Sequence, residues 1–164
     1  MTNNLVPDTT MAEQISRFNI RVYGLFMHEG SILITNEFRM GQHLTKFPGG
    51  GMHFGEGTID CLRRECMEEM GQEIKIQHHF YTTDFFQPTF FLPQTEQLMS
   101  IYYFAELSNP TRVNVASKPF DFDKLIEGAQ WFRWIPLYQL NEDEFTLPVD
   151  KVVARLLIRS QEIH

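Results

Sequence analysis

The hydrophobic pattern changes period along the chain, and the changes mark the elements. From Asn19 to Met27 apolar side chains fall on both alternations: Ile20, Val22 and Phe26 on one, Tyr23, Leu25 and Met27 on the other. Apolar groups on both faces predict an inner strand. His28-Glu29-Gly30 reads as a turn, and Ser31–Thr35 continues as a strand, so the pair forms a hairpin. Residues 43–48 read as a short strand ended by Pro48 and three glycines. The period then switches. Ile59, Leu62, Cys66 and Met70 recur every three or four residues, one apolar stripe of a helix over Thr58–Met70. Thr58 reads as its N-cap and Gly71 as the residue just past its end.

Beyond the helix, residues 73–86 read as one or two strands full of aromatics, and 97–107 as a second long strand. Residues 108–124, with Pro110 and Pro119, read as a long loop. Residues 130–135 form a final strand before Pro136. Residues 148–161 close the chain as an amphipathic helix burying Val152, Val153, Leu156 and Leu157. At the other end, 11–18 reads as a short helix after a polar, frayed start. This order predicts a mixed α+β domain over residues 19–164, preceded by a polar segment, 1–18.

Composition narrows the function. The chain has 164 residues, enough for one domain and little more. With 14 basic against 21 acidic residues, its net charge of −7 offers no field for a nucleic-acid polymer. A small anionic substrate would need local compensation, which a divalent cation commonly supplies. Cys61 and Cys66 lie five positions apart on one helix, so they point in different directions and read as core thiols in a reducing compartment. No leader-like start and no stretch of about 20 apolar residues is visible. The expectation is a cytoplasmic protein with no membrane contact.

The chemistry concentrates between Phe47 and Gly71. A glycine-rich run, Gly49-Gly50-Gly51, leaves backbone groups uncovered and leads into the helix. The helix presents Glu65, Glu68 and Glu69, whose i,i+3 and i,i+4 spacings place them on one region of its surface. Adjacent carboxylates repel unless water screens them or a hard cation binds them. Mg²⁺ or Mn²⁺ fits such oxygen ligands, and a spare carboxylate could take a proton from an attacking water. Taken alone, the three glutamates read more naturally as a solvated face, with Arg64 and Glu68 an ordinary i,i+4 pair.

The full spacing changes that balance. Gly50, five residues, Glu56, seven residues, then Arg64-Glu65-Cys66-Met67-Glu68-Glu69-Met70-Gly71-Gln72 resembles the Nudix box, Gly-x5-Glu-x7-Arg-Glu-U-x-Glu-Glu-x-Gly-U, where U is bulky and aliphatic. Every invariant letter is filled. Cys66 and Gln72 depart from the pattern at the two U positions, and neither is a catalytic letter. The looser resemblance runs from about Asn19 to the last helix.

The resemblance implies the Nudix fold, an α/β/α sandwich around a mixed sheet. It implies a Mg²⁺-dependent pyrophosphohydrolase that cleaves the diphosphate of a nucleoside diphosphate linked to another moiety. Glu68 and Glu69 would bind metal. Glu65 would also lie at the metal, and the general base would be one of Glu65, Glu69 and Glu127. Arg64 would orient the glutamates, Glu56 would support the loop–helix geometry, and the Gly49 carbonyl would be a further ligand. Gly50 and Gly51 fall in the phosphate region. Relatives often add an acid from a late loop, which points to Glu127, ahead of Asp121 and Asp123. An ordinary loop acid is the equal alternative for Glu127. A non-catalytic nucleotide sensor is the alternative for the whole chain, although such modules usually show a damaged box. An isoprenoid-diphosphate isomerase relative ranks lower, since both cysteines lie in the box helix.

Other candidates are weaker. The aromatic pairs read mainly as core and as a surface that permits a homodimer, with one or two rings free to sandwich a base. His78 and His79 point to opposite faces of a strand. His53 reads as a solvated loop residue. Asp150 reads as an acid favouring a helix N-terminus. The residues that select the substrate are not legible.

Overall fold

In a computed structural model, residues 9–91, 93–121 and 124–162 are described. Asp123 and the first eight residues lie outside them. The elements are α1 (Thr9–Gln14), β1 (Arg17–His28), β2 (Ser31–Arg39), β3 (Gln42–Lys46), β4 (Gly49–Gly51), α2 (Thr58–Met70), β5 (Ile74–Thr82), β6 (Glu96–Leu107), β7 (Gln130–Pro136) and α3 (Pro148–Glu162). The sheet runs β3-β2-β1-β6-β5, with β4 on β1 and β7 on β2. It is mixed, because β1 and β6 are parallel while the other named pairs are antiparallel. This is the α+β Nudix arrangement that the resemblance implies.

The two alternations of β1 build the two cores. Val22 and Phe26 pack with Leu33 and with Cys61, Leu62 and Cys66 of α2. Tyr23 and Leu25 pack with Ile32, Ile34, Tyr102 and, from α3, Val149, Val153 and Leu157. Each helix thus covers one face of the sheet. Gly24 has no side chain because a Cβ there would meet the Phe26 ring at 2.4 Å.

Several expectations need correction. The first helix is Thr9–Gln14 rather than 11–18, because Arg17 and Phe18 already pair with Glu96 and Gln97. The β1–β2 hairpin holds only at Met27↔Ile32 and His28↔Ser31; beyond it the strands part to join β6 and β7. The three glycines do not end the strand region. They form β4 against Arg21–Tyr23, where the lack of side chains admits close approach. The N-cap of α2 is Gly57, not Thr58, whose hydroxyl bonds the Tyr103 hydroxyl at 2.7 Å. Gly71 does close the helix, in the left-handed conformation with φ +64°. Ile59 is exposed, and the stripe shifts to Cys61, Leu62 and Cys66. Strand β5 stops at Thr82, and bulges interrupt its pairing with β6.

The last helix holds another difference. Asp150 is fully buried, and Val152 and Leu156 are only half-buried. The Tyr102 hydroxyl donates to Asp150 Oδ1 at 2.6 Å, while Oδ2 has no partner. Burial pushes the Asp150 carboxyl up to about 7. A raised folded-state pKa adds stability that is complete below the ordinary value of 3.8 and is lost as pH rises through about 7. Asp150→Asn removes that titration. The melting temperature of the variant minus that of the parent should therefore rise as pH goes from 4 to 8, and a pH series of thermal melts checks it.

Candidate active site

The site begins with Arg64, midway along α2. Its Nε and Nη2 both donate to Glu56, the latter at 3.1 Å. Nη2 also donates to the Gly51 carbonyl at 2.9 Å, and Nη1 to Glu65 at 2.9 Å and Glu68 at 3.2 Å. One planar guanidinium therefore joins the glycine strand, the loop after it and the helix. Glu56 is further held by the His53 amide at 2.9 Å. The Arg64 hydrogen bonds, helped by that amide, hold the Glu56 carboxyl down at about 2.

Glycine at position 50 has a direct cause. A Cβ there would lie 2.4 Å from the Glu65 carboxyl carbon, so the carboxylate rests on bare backbone. Gly49, with φ +144°, sits so close to β1 that a Cβ would meet the Val22 carbonyl at 2.1 Å. Its own carbonyl accepts from Lys46 Nζ at 3.2 Å. Lys46 is buried and also pairs with Glu37 at 3.4 Å.

Glu65, Glu69, Gly49, Gly50 and Gly51 line one cavity of about 300 Å³. Burial pushes Glu69 up to about 7, against the pull of Lys46. Its Oε2 is buried and makes no hydrogen bond of good geometry; the Gln130 side-chain amide, also short of a well-placed partner, adds a weaker downward pull on the carboxyl. Glu68 is exposed and meets the cluster through Arg64. Glu127 does not line this cavity: both its oxygens accept from the Met40 amide, at 2.9 and 2.7 Å, at the turn between β2 and β3. Asp121 pairs with Lys118 at 3.6 Å. Both thiols are free and buried, which makes them poor nucleophiles.

The spacing of the box does not reveal the cations of this cavity. Arg21, Arg39 and Lys46 line it, with Glu37 between them. A signal existed for one of them: Arg21 is a long charged residue between the apolar Ile20 and Val22 of an inner strand, a placement that buried strands rarely tolerate without a partner.

This geometry meets a family pattern. A model of the NUDIX domain matches residues 16–156. The chain belongs to the Nudix family. Solved structures share the fold at low identity. A Nudix hydrolase from Nitrosomonas europaea is 15% identical with a TM-score of 0.62, over 90% of this chain and 74% of that one. A MutT protein from Methanosarcina mazei Go1 is 18% identical with a TM-score of 0.61, over 89% and 96%. An ADP-ribose pyrophosphatase from Streptococcus suis 89-1591 is 15% identical with a TM-score of 0.55, over 87% and 91%. Membership in the Nudix family is consistent with hydrolysis of phosphoanhydride bonds in general. No helix among the described residues is long and apolar enough to cross a membrane.

A divalent cation suits the donors present. Among the described residues no three acidic, imidazole or thiol side chains converge as a ready cage. The cavity instead offers an unpartnered, buried carboxylate oxygen on Glu69, the Glu65 carboxylate and the Gly49 carbonyl, all hard oxygens.

Gly50→Ala should separate site from fold. The clash falls on the mobile end of Glu65, so thermal melts should move by only a few degrees. Displacing that carboxylate should lower phosphoanhydride turnover about 100-fold, the usual penalty for a misplaced group.

Proposed function

We propose that this chain is a Mg²⁺- or Mn²⁺-dependent pyrophosphohydrolase acting on a nucleoside diphosphate linked to another moiety. The observation that supports it best is the buried, unpartnered Oε2 of Glu69 in the cavity that Glu65 and the glycine strand also line. A lone buried carboxylate oxygen costs roughly 1–3 kcal/mol or more, so retaining one favours a ligand for it.

In this reading Glu65, Glu68, Glu69 and the Gly49 carbonyl hold the cation. The cation supplies charge neutralisation for the diphosphate and polarises its phosphoryl oxygens. Arg21, Arg39 and Lys46 take the remaining phosphate oxygens as charge-assisted donors. Arg64 keeps Glu65 and Glu68 aimed while the substrate binds. Of Glu65 and Glu69, which both line the cavity, one would be a ligand only, while the other, less closely engaged, would accept the proton of the attacking water. No step is assigned to Glu127, whose carboxylate is engaged by Met40.

The test is product release from a panel of nucleoside triphosphates, dinucleotides, ADP-ribose and nucleotide sugars, with and without Mg²⁺. Turnover should require the metal and fall at least about 100-fold in Glu69→Gln, which keeps the shape and loses the charge. Tight nucleotide binding without turnover on any compound would overturn the enzyme in favour of a sensor. Metal affinity should also depend on pH. A proton competes with the cation for Glu69, so below about 7 the affinity measured by calorimetry should weaken by up to roughly tenfold per pH unit.

A further inference from the structure

The inner cavity opens into an outer one of about 430 Å³, the two sharing Arg21, Glu37, Arg39 and Lys46. That volume suits a small organic ligand. The outer cavity changes character away from the shared cations. Leu44, Leu98 and Leu147 supply an apolar lining. Phe90 and Phe91 stand beside it, edge to face with centroids 5.5 Å apart, and Phe90 packs against the α3-side core. The segment that carries them is tied to β6 by backbone bonds, Leu98 to Gln87 at 2.7 Å and Thr89 to Glu96 at 2.9 Å. An aromatic wall over aliphatic lining suits a flat ring.

The polar groups of the outer cavity that the inner one lacks form a cluster. Glu96 sits at the start of β6, where its carboxylate accepts from Asn19 Nδ2 at 2.9 Å and pairs with Arg17. A carboxylate there repels phosphate, so the phosphates must lie toward Arg21, Arg39 and Lys46. The ring end then faces a group that only accepts, beside a guanidinium that only donates. Each carboxylate oxygen already has one protein partner, Oε2 with Asn19 and Oε1 with Arg17, and each keeps a second lone pair, so together they match two adjacent N–H donors. Among the common bases only guanine places a ring N–H and an amino group side by side, with a carbonyl next to them for Arg17.

We propose that the outer cavity is a nucleoside subsite that selects a guanine-type base, with Glu96 reading its N–H edge and the Phe90–Phe91 segment walling its ring. The proposal rests on the reading of the cleft as a nucleoside diphosphate site and adds the identity of the base. Glu96 is thereby a specificity-determining residue.

The test is calorimetric binding of GMP, IMP, AMP, UMP and CMP to the full chain in EDTA. It requires neither metal nor turnover, so its failure is separate from failure of the hydrolase reading. GMP should bind at least about tenfold more tightly than AMP, UMP and CMP, the scale of one hydrogen bond to a charged group. IMP, which lacks the amino group and keeps the ring N–H, should fall between GMP and AMP. Glu96→Gln should bring GMP within about twofold of AMP. Equal binding of all five, no binding, IMP matching GMP, or a guanine preference that survives Glu96→Gln would overturn the proposal. The IMP comparison uses the unaltered protein, so the result stands even if the variant folds poorly.

Discussion

The arrangement of this site depends on one guanidinium. Arg64 makes five hydrogen bonds to oxygen, reaching Glu56, Gly51, Glu65 and Glu68. A lysine at that position could not span these acceptors, since three donors on a point charge lack the planar fork. Without Arg64 three carboxylates would face each other with nothing between them. The helix alone cannot fix their positions, because side chains at i,i+3 and i,i+4 are neighbours but not partners. The arginine converts repulsion into a brace, and it does so from the same turn of helix that carries the glutamates.

That brace works only because the glycine strand comes close. Gly49 and Gly50 each stand where any Cβ would clash, one with β1 backbone and one with the Glu65 carboxylate. The helix is seated on the sheet by Cys61, Leu62 and Cys66, which face Val22 and Phe26. Core packing and site geometry therefore meet in α2: one side of the helix is apolar and fixed, the other acidic and aimed. The alternation of β1 does similar double duty. Its even positions anchor α2, while the odd positions Asn19, Arg21 and Tyr23 line the outer cavity.

The local part of this was legible in the sequence. Glu65, Glu68, Glu69 and Arg64 are within one helix, and Gly50 and Glu56 lie just before it, so spacing alone locates them. Both faces of β1 and the end of α2 at Gly71 follow from short-range pattern as well. The rest depends on pairings distant in sequence. Arg21, Glu37 and Lys46 come from three strands, and nothing in their spacing says that they share a cleft. Asp150 reads as a helix-terminus acid because its partner, Tyr102, is 48 residues away. Glu127 does come near the cleft's rim, but the turn at Met40 takes both its oxygens, a contact that only the β2–β3 register could reveal.

The acidity of the chain is best understood at this scale. A net charge of −7 ought to repel an anion at long range, yet Debye screening limits that field to roughly 8 Å at physiological salt. What sets the field inside the cleft is the local group of charges, and there Arg21, Arg39 and Lys46 stand against Glu37 in the lining that the two cavities share. Lys46 is the most constrained of them. It is buried, paired with Glu37, donating to the Gly49 carbonyl and 5.8 Å from the Tyr23 ring centroid. A buried cation with every contact made is held in place before any ligand arrives. Its charge faces the Gly49 carbonyl and the carboxylates of Glu37 and Glu69, so the cleft balances its acids with basic groups from three neighbouring strands.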